Sequence, residues 1–211
     1  MTTLFGIGVT SFIVALSGAL MPGPLLTATI GESSRAGPRA GPLLIAGHAV
    51  LELALVGALF LGLAPLLTNI TVIAVISCAG GVILFLLAFG MFRSLPTLAI
   101  ATAPAVTGHG RLVMAGILMS IANPYWSVWW ATIGLAYILQ SRNLGFSGVA
   151  VFFMGHIAAD FLWYSFISLT VGRGRKFFTK EIYRTVVGVC AGFLMVFAVL
   201  FLRAGIKKMF W

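Results

Sequence analysis

Charge is what this sequence lacks. Only 8% of its 211 residues are Asp, Glu, Lys or Arg, against about 25% in a soluble domain, and only four are acidic. With 61% hydrophobic residues, against the usual ~45–50%, an ordinary soluble fold is excluded and an integral membrane protein is expected. Cysteine is nearly absent as well. Cys78 and Cys190 are isolated, lie in apolar runs and form no C-x-x-C pair, so thiol redox chemistry has no support. No H-E-x-x-H, paired intramembrane aspartates or Gly-x-Ser-x-Gly nucleophile is found. Neither an enzyme nor a cofactor is expected. The first basic residue is Arg35, so the apolar stretch from Leu4 to Ile30 lacks the basic flank of a removable secretory signal and is expected to stay as a helix. A net charge of +9 suits a nucleic-acid binder. Here, however, apolar spans leave no soluble domain to bind one, and the basic residues fall in short loops.

What is present is apolar length. Against the ~20 residues a spanning helix needs, six segments emerge, about 4–31, 42–67, 70–92, 112–139, 145–171 and 184–209. Between the third and fourth, Ser94 to Gly110 holds Pro96, Pro104, Gly108 and Gly110, which reads as an irregular connection. The chain so divides into residues 1–94, a central loop 95–111, and residues 112–211. The halves repeat one another. Gly47-His48-x-x-x-Glu52 matches Gly155-His156-x-x-x-Asp160 at a displacement of 108 residues, and Pro22-Gly23-Pro24 in the first span corresponds to Asn123-Pro124 in the fourth. Three spans per half is an odd number, so the second half must cross in the opposite sense. The expected fold is all-α, with six transmembrane helices as two inverted-topology three-helix repeats, an organisation characteristic of secondary transporters.

Loops after spans one, three and five carry Arg35, Arg39, Arg93, Arg111, Arg173, Arg175, Lys176, Lys180 and Arg184. The opposite side has Arg142, Arg203, Lys207 and Lys208. Basic loops stay on the cytoplasmic side, so the first group is assigned to the cytoplasm of a multi-pass cytoplasmic-membrane protein, with both termini outside. The run from 173 to 184 reads as a solvated cytoplasmic face or as a lipid-headgroup or partner site.

The helix breaks point to a site. Pro22, Pro24 and Pro124 donate no backbone hydrogen bond, so the carbonyls of Gly18, Leu20 and Ser120 are expected to lose their partners. A single Pro reads first as a simple kink, but matched breaks in two halves beside matched acidic helices read as presenting such groups to substrate or ion. Within each Gly-His-x-x-x-acid repeat the imidazole and the carboxylate share a helix face. Glu52 and Asp160 lie at roughly the eleventh and sixteenth positions of their spans, too deep to reach the interface. There each can hold a substrate ammonium, take up a coupling proton, or pair with His48 or His156 simply to stabilise the bundle. Trp126, Trp129 and Trp130 share a face beyond the fourth-span break and can wall a substrate cavity or pack against lipid and helices. Gly80-Gly81 and Gly188 with Gly192 fit close helix packing, Glu32 near Arg35 reads as an interfacial charge pair, and His109 is expected to be exposed.

Ala19-Leu-Met-Pro22-Gly23-Pro24, Arg35-x-Gly37 and Asn123-Pro124 together resemble the LysE/RhtB family of amino-acid exporters, over essentially the whole chain. The resemblance implies a six-helix inner-membrane carrier that exports amino acids or related metabolites, is driven by the proton gradient and often works as a homo-oligomer. It also implies that Pro22, Gly23, Pro24, Asn123 and Pro124 line or shape the central site. The Gly-His-x-x-x-acid repeats depart from the better-known lysine and homoserine exporters, so the substrate does not follow from the family. The reading is a small-molecule substrate, an amino acid first, moved by alternating access at a site of His48, Glu52, His156 and Asp160, with no resident metal. The alternative is a divalent-metal carrier in which the same four residues are ligands to Mn²⁺, Zn²⁺ or Cd²⁺.

Overall fold

The computed structural model describes residues 3–63, 69–97, 108–174 and 179–210, all helix and tight turn. The interior of the expected central loop, Pro104 included, lies outside the described residues, as do Arg175, Lys176 and the last residues of the second expected span. Helix α1 (Leu4–Ala19) starts on Thr3, whose hydroxyl accepts from Gly6 N–H at 3.0 Å. Helix α2 (Pro24–Ala36) has proline at its first position, where the missing N–H is harmless. A 3₁₀ turn, Gly37–Arg39, leads to α3 (Ala40–Ala58), which runs on through a wider turn at Leu59–Leu63. Asn69 caps α4 (Ile70–Ser94). Then come α5 (His109–Ile121), α6 (Pro124–Trp129), a π-turn at Trp130–Gly134, α7 (Leu135–Ser141), α8 (Gly145–Arg173) and α9 (Lys180–Phe210).

Two expected spans are therefore each divided. The first becomes α1 and α2; the fourth becomes α5, α6 and α7 and begins at His109, so His109 and Gly110 belong to a helix and not to the connecting loop. The carbonyls expected to be freed by the prolines are partly reclaimed. Met21 N–H donates to Gly18 O and Asn123 N–H to Ser120 O, both at 3.1 Å, because each half-helix closes with a three-residue turn before its break.

Four helical stretches among the described residues are long and apolar enough to cross a membrane, Pro24–Gly62, Ile70–Ser94, Tyr125–Arg173 and Lys180–Met209, with α1 and α5 as shorter apolar helices. The surface agrees with that. Large apolar side chains such as Phe5, Ile13, Leu53, Leu86, Leu162 and Val199 point outward, whereas Ser11, Thr29, Ser33, His48, Glu52, Ser120, His156, Asp160 and Ser168 are buried. Lipid tolerates the first set, and the second finds partners only inside the bundle.

Helix α1 lies along α8, α3 lies along α5 and α8, and α4 pairs most extensively with α9. Glycine permits the closest approaches. A Cβ on Gly47 would stand 1.8 Å from Val113 O, one on Gly116 1.9 Å from Leu44 O, and one on Gly155 2.5 Å from Gly8 O. Hydroxyls tie the same helices together. Ser11 donates to Phe152 O at 2.6 Å, and Ser168 accepts from Ser33 Oγ and Gly41 N–H, each at 2.9 Å, which fixes the α2–α3 turn on α8.

Substituting Gly116→Ala should lower unfolding stability in detergent by about 1–3 kcal/mol, since α3 and α5 must separate to admit the methyl group. Gly57→Ala is the control, because among the described residues no packing neighbour lies within 4 Å of the added methyl. Circular dichroism melts should show no loss for the control, or a gain of ~0.5–1 kcal/mol from helix propensity.

Candidate functional site

The middle of α3 also packs against α8, and the four ionisable side chains meet there. His48 Nε2 lies 3.0 Å from Glu52 Oε1 within α3, and His156 Nε2 lies 3.4 Å from Asp160 Oδ2 within α8. The pairs also cross between helices. His156 Nε2 is 3.0 Å from Glu52 Oε2, and His48 Nε2 is 3.8 Å from Asp160 Oδ2. All four residues are buried, and one ligand atom from each falls within 4.8 Å of the others. Two separate intrahelical pairs are thus a single cluster.

Its two carboxylates are held unequally. Glu52 Oε1 accepts from Trp126 Nε1 at 3.0 Å and Trp130 Nε1 at 2.8 Å, with His48 as a third neighbour. The π-turn after α6 allows this, as Gly134 leaves room for the Trp130 ring. Glu52 Oε2, Asp160 Oδ2 and both nitrogens of His156 are buried without an aligned hydrogen bond; the His156–Glu52 approach is close but off the bonding line. Unpartnered polar atoms at that depth call for a proton, water or ligand between them. The rings of Trp129 and Trp130 enclose His156 at centroid distances of 4.8 and 5.3 Å.

Ser120, at the last turn of α5, supplies a further control. Its Oγ lies 2.7 Å from His48 Nδ1 and also 2.7 Å from Gly116 O. The hydroxyl has one hydrogen. If it goes to Gly116 O, Nδ1 must donate to Ser120, and a proton between Nε2 and Glu52 makes His48 an imidazolium. If it goes to Nδ1, His48 is neutral with its proton on Nε2. Rotation of one hydroxyl can therefore accompany the gain or loss of one proton.

A cavity of about 50 Å³ adjoins the cluster, lined by His48, Glu52, His156 and Asp160, by Trp126, Trp129 and Trp130, and by Gly23 and Asn123. The two breaks face each other there, with a Cβ on Gly23 falling 3.5 Å from Asn123 Nδ2. Pro22 and Pro24 do not line this cavity. Pro22 faces a smaller neighbouring pocket and Pro24 one on the far side of α2. The ring of Pro124 is outside the described side chains. The expected Glu32–Arg35 charge pair is not formed; the two side chains share a separate pocket with no ion pair within 4.0 Å.

Sequence reasoning missed Ser120 and Tyr164. Tyr164 lines the cavity and stands four residues beyond Asp160, on the face that already carries His156. That i, i+4, i+8 series was available. Ser120 gave no signal of its own, being one small residue among apolar ones.

Replacing Trp130 with Phe removes a donor from a buried anion while keeping an aromatic ring. It should cost about 1.5–3 kcal/mol of stability, measured by thermal unfolding in detergent. Trp163→Phe should cost far less, since Trp163 Nε1 has no hydrogen-bond partner to lose.

Residues 16–205 match the LysE type translocator family. Neither the curated proteins nor the solved structures include a match to the chain. With that match over most of its length and its lipid-facing helical stretches, this multi-pass membrane protein belongs to the LysE type translocator family.

Proposed function

We propose that the chain exports amino acids or related small metabolites across the cytoplasmic membrane, coupled to protons, by alternating access at the buried cluster. The observation that carries this reading is the convergence of His48, Glu52, His156 and Asp160, drawn from the two halves of the chain, on one cavity beside both helix breaks. Buried ionisable groups that face a cavity inside a membrane bundle are the ordinary signature of an ion or substrate path.

The two carboxylates take different roles. Glu52, fixed by two indoles and His48, is the standing anion that keeps both imidazoles in place. Asp160, with an unpartnered oxygen, exchanges a proton for the substrate ammonium. His48 and His156 relay or tune that proton. The substrate carboxylate faces the N-terminal end of α2, where Gly23 caps without a side chain and the helix dipole is positive. A cavity of about 50 Å³ is far below the ~300–1,000 Å³ of a small-molecule site, so this is a closed form that widens at Gly23 and Asn123.

The packing supports inverted repeats, residues 1–94 and 112–211, with six crossings in all. The first broken helix, α1–α2, lies on the second half's α8; the second broken helix starts with α5, which lies on the first half's α3; α4 pairs with α9. The basic loops after the first, third and fifth crossings face the cytoplasm. Assembly as a homo-oligomer is carried over from the family resemblance.

In proteoliposomes, Glu52→Gln and Asp160→Asn should each abolish proton-coupled export while circular dichroism and gel filtration stay unchanged. Full activity in both variants would end the proposal. A second reading rests on distances. One ligand atom from each of the four residues lies within 4.8 Å of the others, close enough for a modest contraction to bring them onto one ion, which makes a divalent cation an alternative substrate. Against it, Glu52 Oε1 is already taken by indole donors. Thermal shift of purified protein separates the two readings, because a ligand at about 100 times its Kd adds ~2.7 kcal/mol. Stabilisation by amino acids supports the first, and stabilisation by Mn²⁺, Zn²⁺ or Cd²⁺ alone supports the second.

A further inference from the structure

A second pocket, mostly apolar but with two charged residues in its wall, lies apart from the central cluster. It opens between α2, α4, α5 and α9, has a volume of about 300 Å³, and is lined by Glu32 and Arg35 with Met91, Met119 and Tyr183 among its walls. It is a more open depression than the central cavity, with room for a small head group and not for a fully enclosed ligand. Its two charges stand three residues apart on α2, on neighbouring positions of the helix surface. They do not neutralise each other. No ion pair joins them within 4.0 Å, and Glu32 Oε2 is buried with no hydrogen-bond partner at all. A buried carboxylate oxygen with no donor is costly unless a cationic guest arrives.

The pocket's place in the fold gives it a purpose. Pro24, the first residue of α2, faces this pocket, while Gly23 and Leu25 on either side of it face the central cavity. The opening turn of α2 is therefore the wall between the two spaces. Gly23 gives this turn no side-chain cap, and it is held through Gly23 O, which accepts from Thr27 N–H and Thr27 Oγ1, each at 3.0 Å. The absence of a side chain at Gly31 leaves space beside the Tyr183 hydroxyl, 3.2 Å from where a Cβ would stand.

We propose that this pocket is a vestibular subsite for the zwitterionic head of an amino acid, with Glu32 taking the ammonium and Arg35 the carboxylate, from which the substrate passes across the first turn of α2 to the central cluster. The proposal rests on the amino-acid reading of the central site. The buried, unpartnered Glu32 oxygen and the exposed Arg35 guanidinium one helical turn away, unpaired with each other, match a ligand carrying both charges. Neither an organic cation nor an anion alone would satisfy the two.

Binding of a panel of common L-amino acids to the full-length purified protein tests it, using the Asp160→Asn variant so that the central site is weakened. The best-binding amino acid should still stabilise this variant against heat. Its N-acetyl derivative and its methyl ester, each lacking one of the two charges, should not. Adding Glu32→Gln or Arg35→Gln should weaken binding at least about tenfold, the loss of one charged hydrogen bond. Met91→Trp, which fills the pocket and keeps both charges, should act in the same direction and guards against misfolding of the charge variants. The subsite is overturned if no amino acid stabilises the Asp160→Asn protein, or if binding there ignores Glu32, Arg35 and Met91. Failure of the central reading is separate, because it shows as undiminished export by the Glu52→Gln and Asp160→Asn proteins.

Discussion

A carboxylate at the middle of an apolar bundle is the constraint on which the rest of the molecule depends. Glu52 is almost wholly buried, and a lone charge there would cost several kcal/mol. Its neighbours come from three places in the fold: His48 on its own helix, Trp126 and Trp130 from the broken second-half helix, and His156 from α8. Helices α3, α6 and α8 must keep register for all of these to reach one side chain. The glycine contacts of α3 with α5 and of α8 with α1 allow backbones to approach closely enough for that register to hold. Packing and electrostatics are therefore one device: small residues bring the helices together, and the charge specifies how.

The same arrangement holds the two carboxylates differently. Glu52 is held on one oxygen by aligned donors, which favours a rigid anchor. Asp160 and His156 keep atoms without aligned partners, which favours exchange with whatever enters. Around them the cavity is small, and Gly23 and Asn123, which border it from opposite halves, are chain breaks and not helix interiors. A bundle with firm outer helices and two interrupted inner ones has the parts of a two-state gate.

Much of this was legible in the sequence, for physical reasons that can be named. Lipid enforces apolar length, so most helices fall close to their expected positions. Depth makes ionisable residues expensive, so the two Gly-His-x-x-x-acid series stood out. Their meeting in space could only be suggested by repetition. Proline marked the breaks but misled about their chemistry, since Gly18 and Ser120 carbonyls recover partners through three-residue turns that proline does not forbid. Glu32 and Arg35 looked like a routine surface pair from their spacing alone. Spacing does not reveal that a pocket lies between their helix and three others. Ser120 was invisible because a hydroxyl acquires its role only from the imidazole that another helix brings to it.

The central claim is that groups from opposite halves of the chain share one electrostatic unit, and a double-mutant cycle between Glu52 and His156 tests it most directly. Thermal unfolding would be compared for the parent, Glu52→Gln, His156→Gln and the combined variant. The account predicts that the two changes are strongly non-additive, with a coupling of about 1 kcal/mol or more, as for side chains in contact. Additivity within ~0.3–0.5 kcal/mol, the behaviour of distant and independent sites, would contradict it.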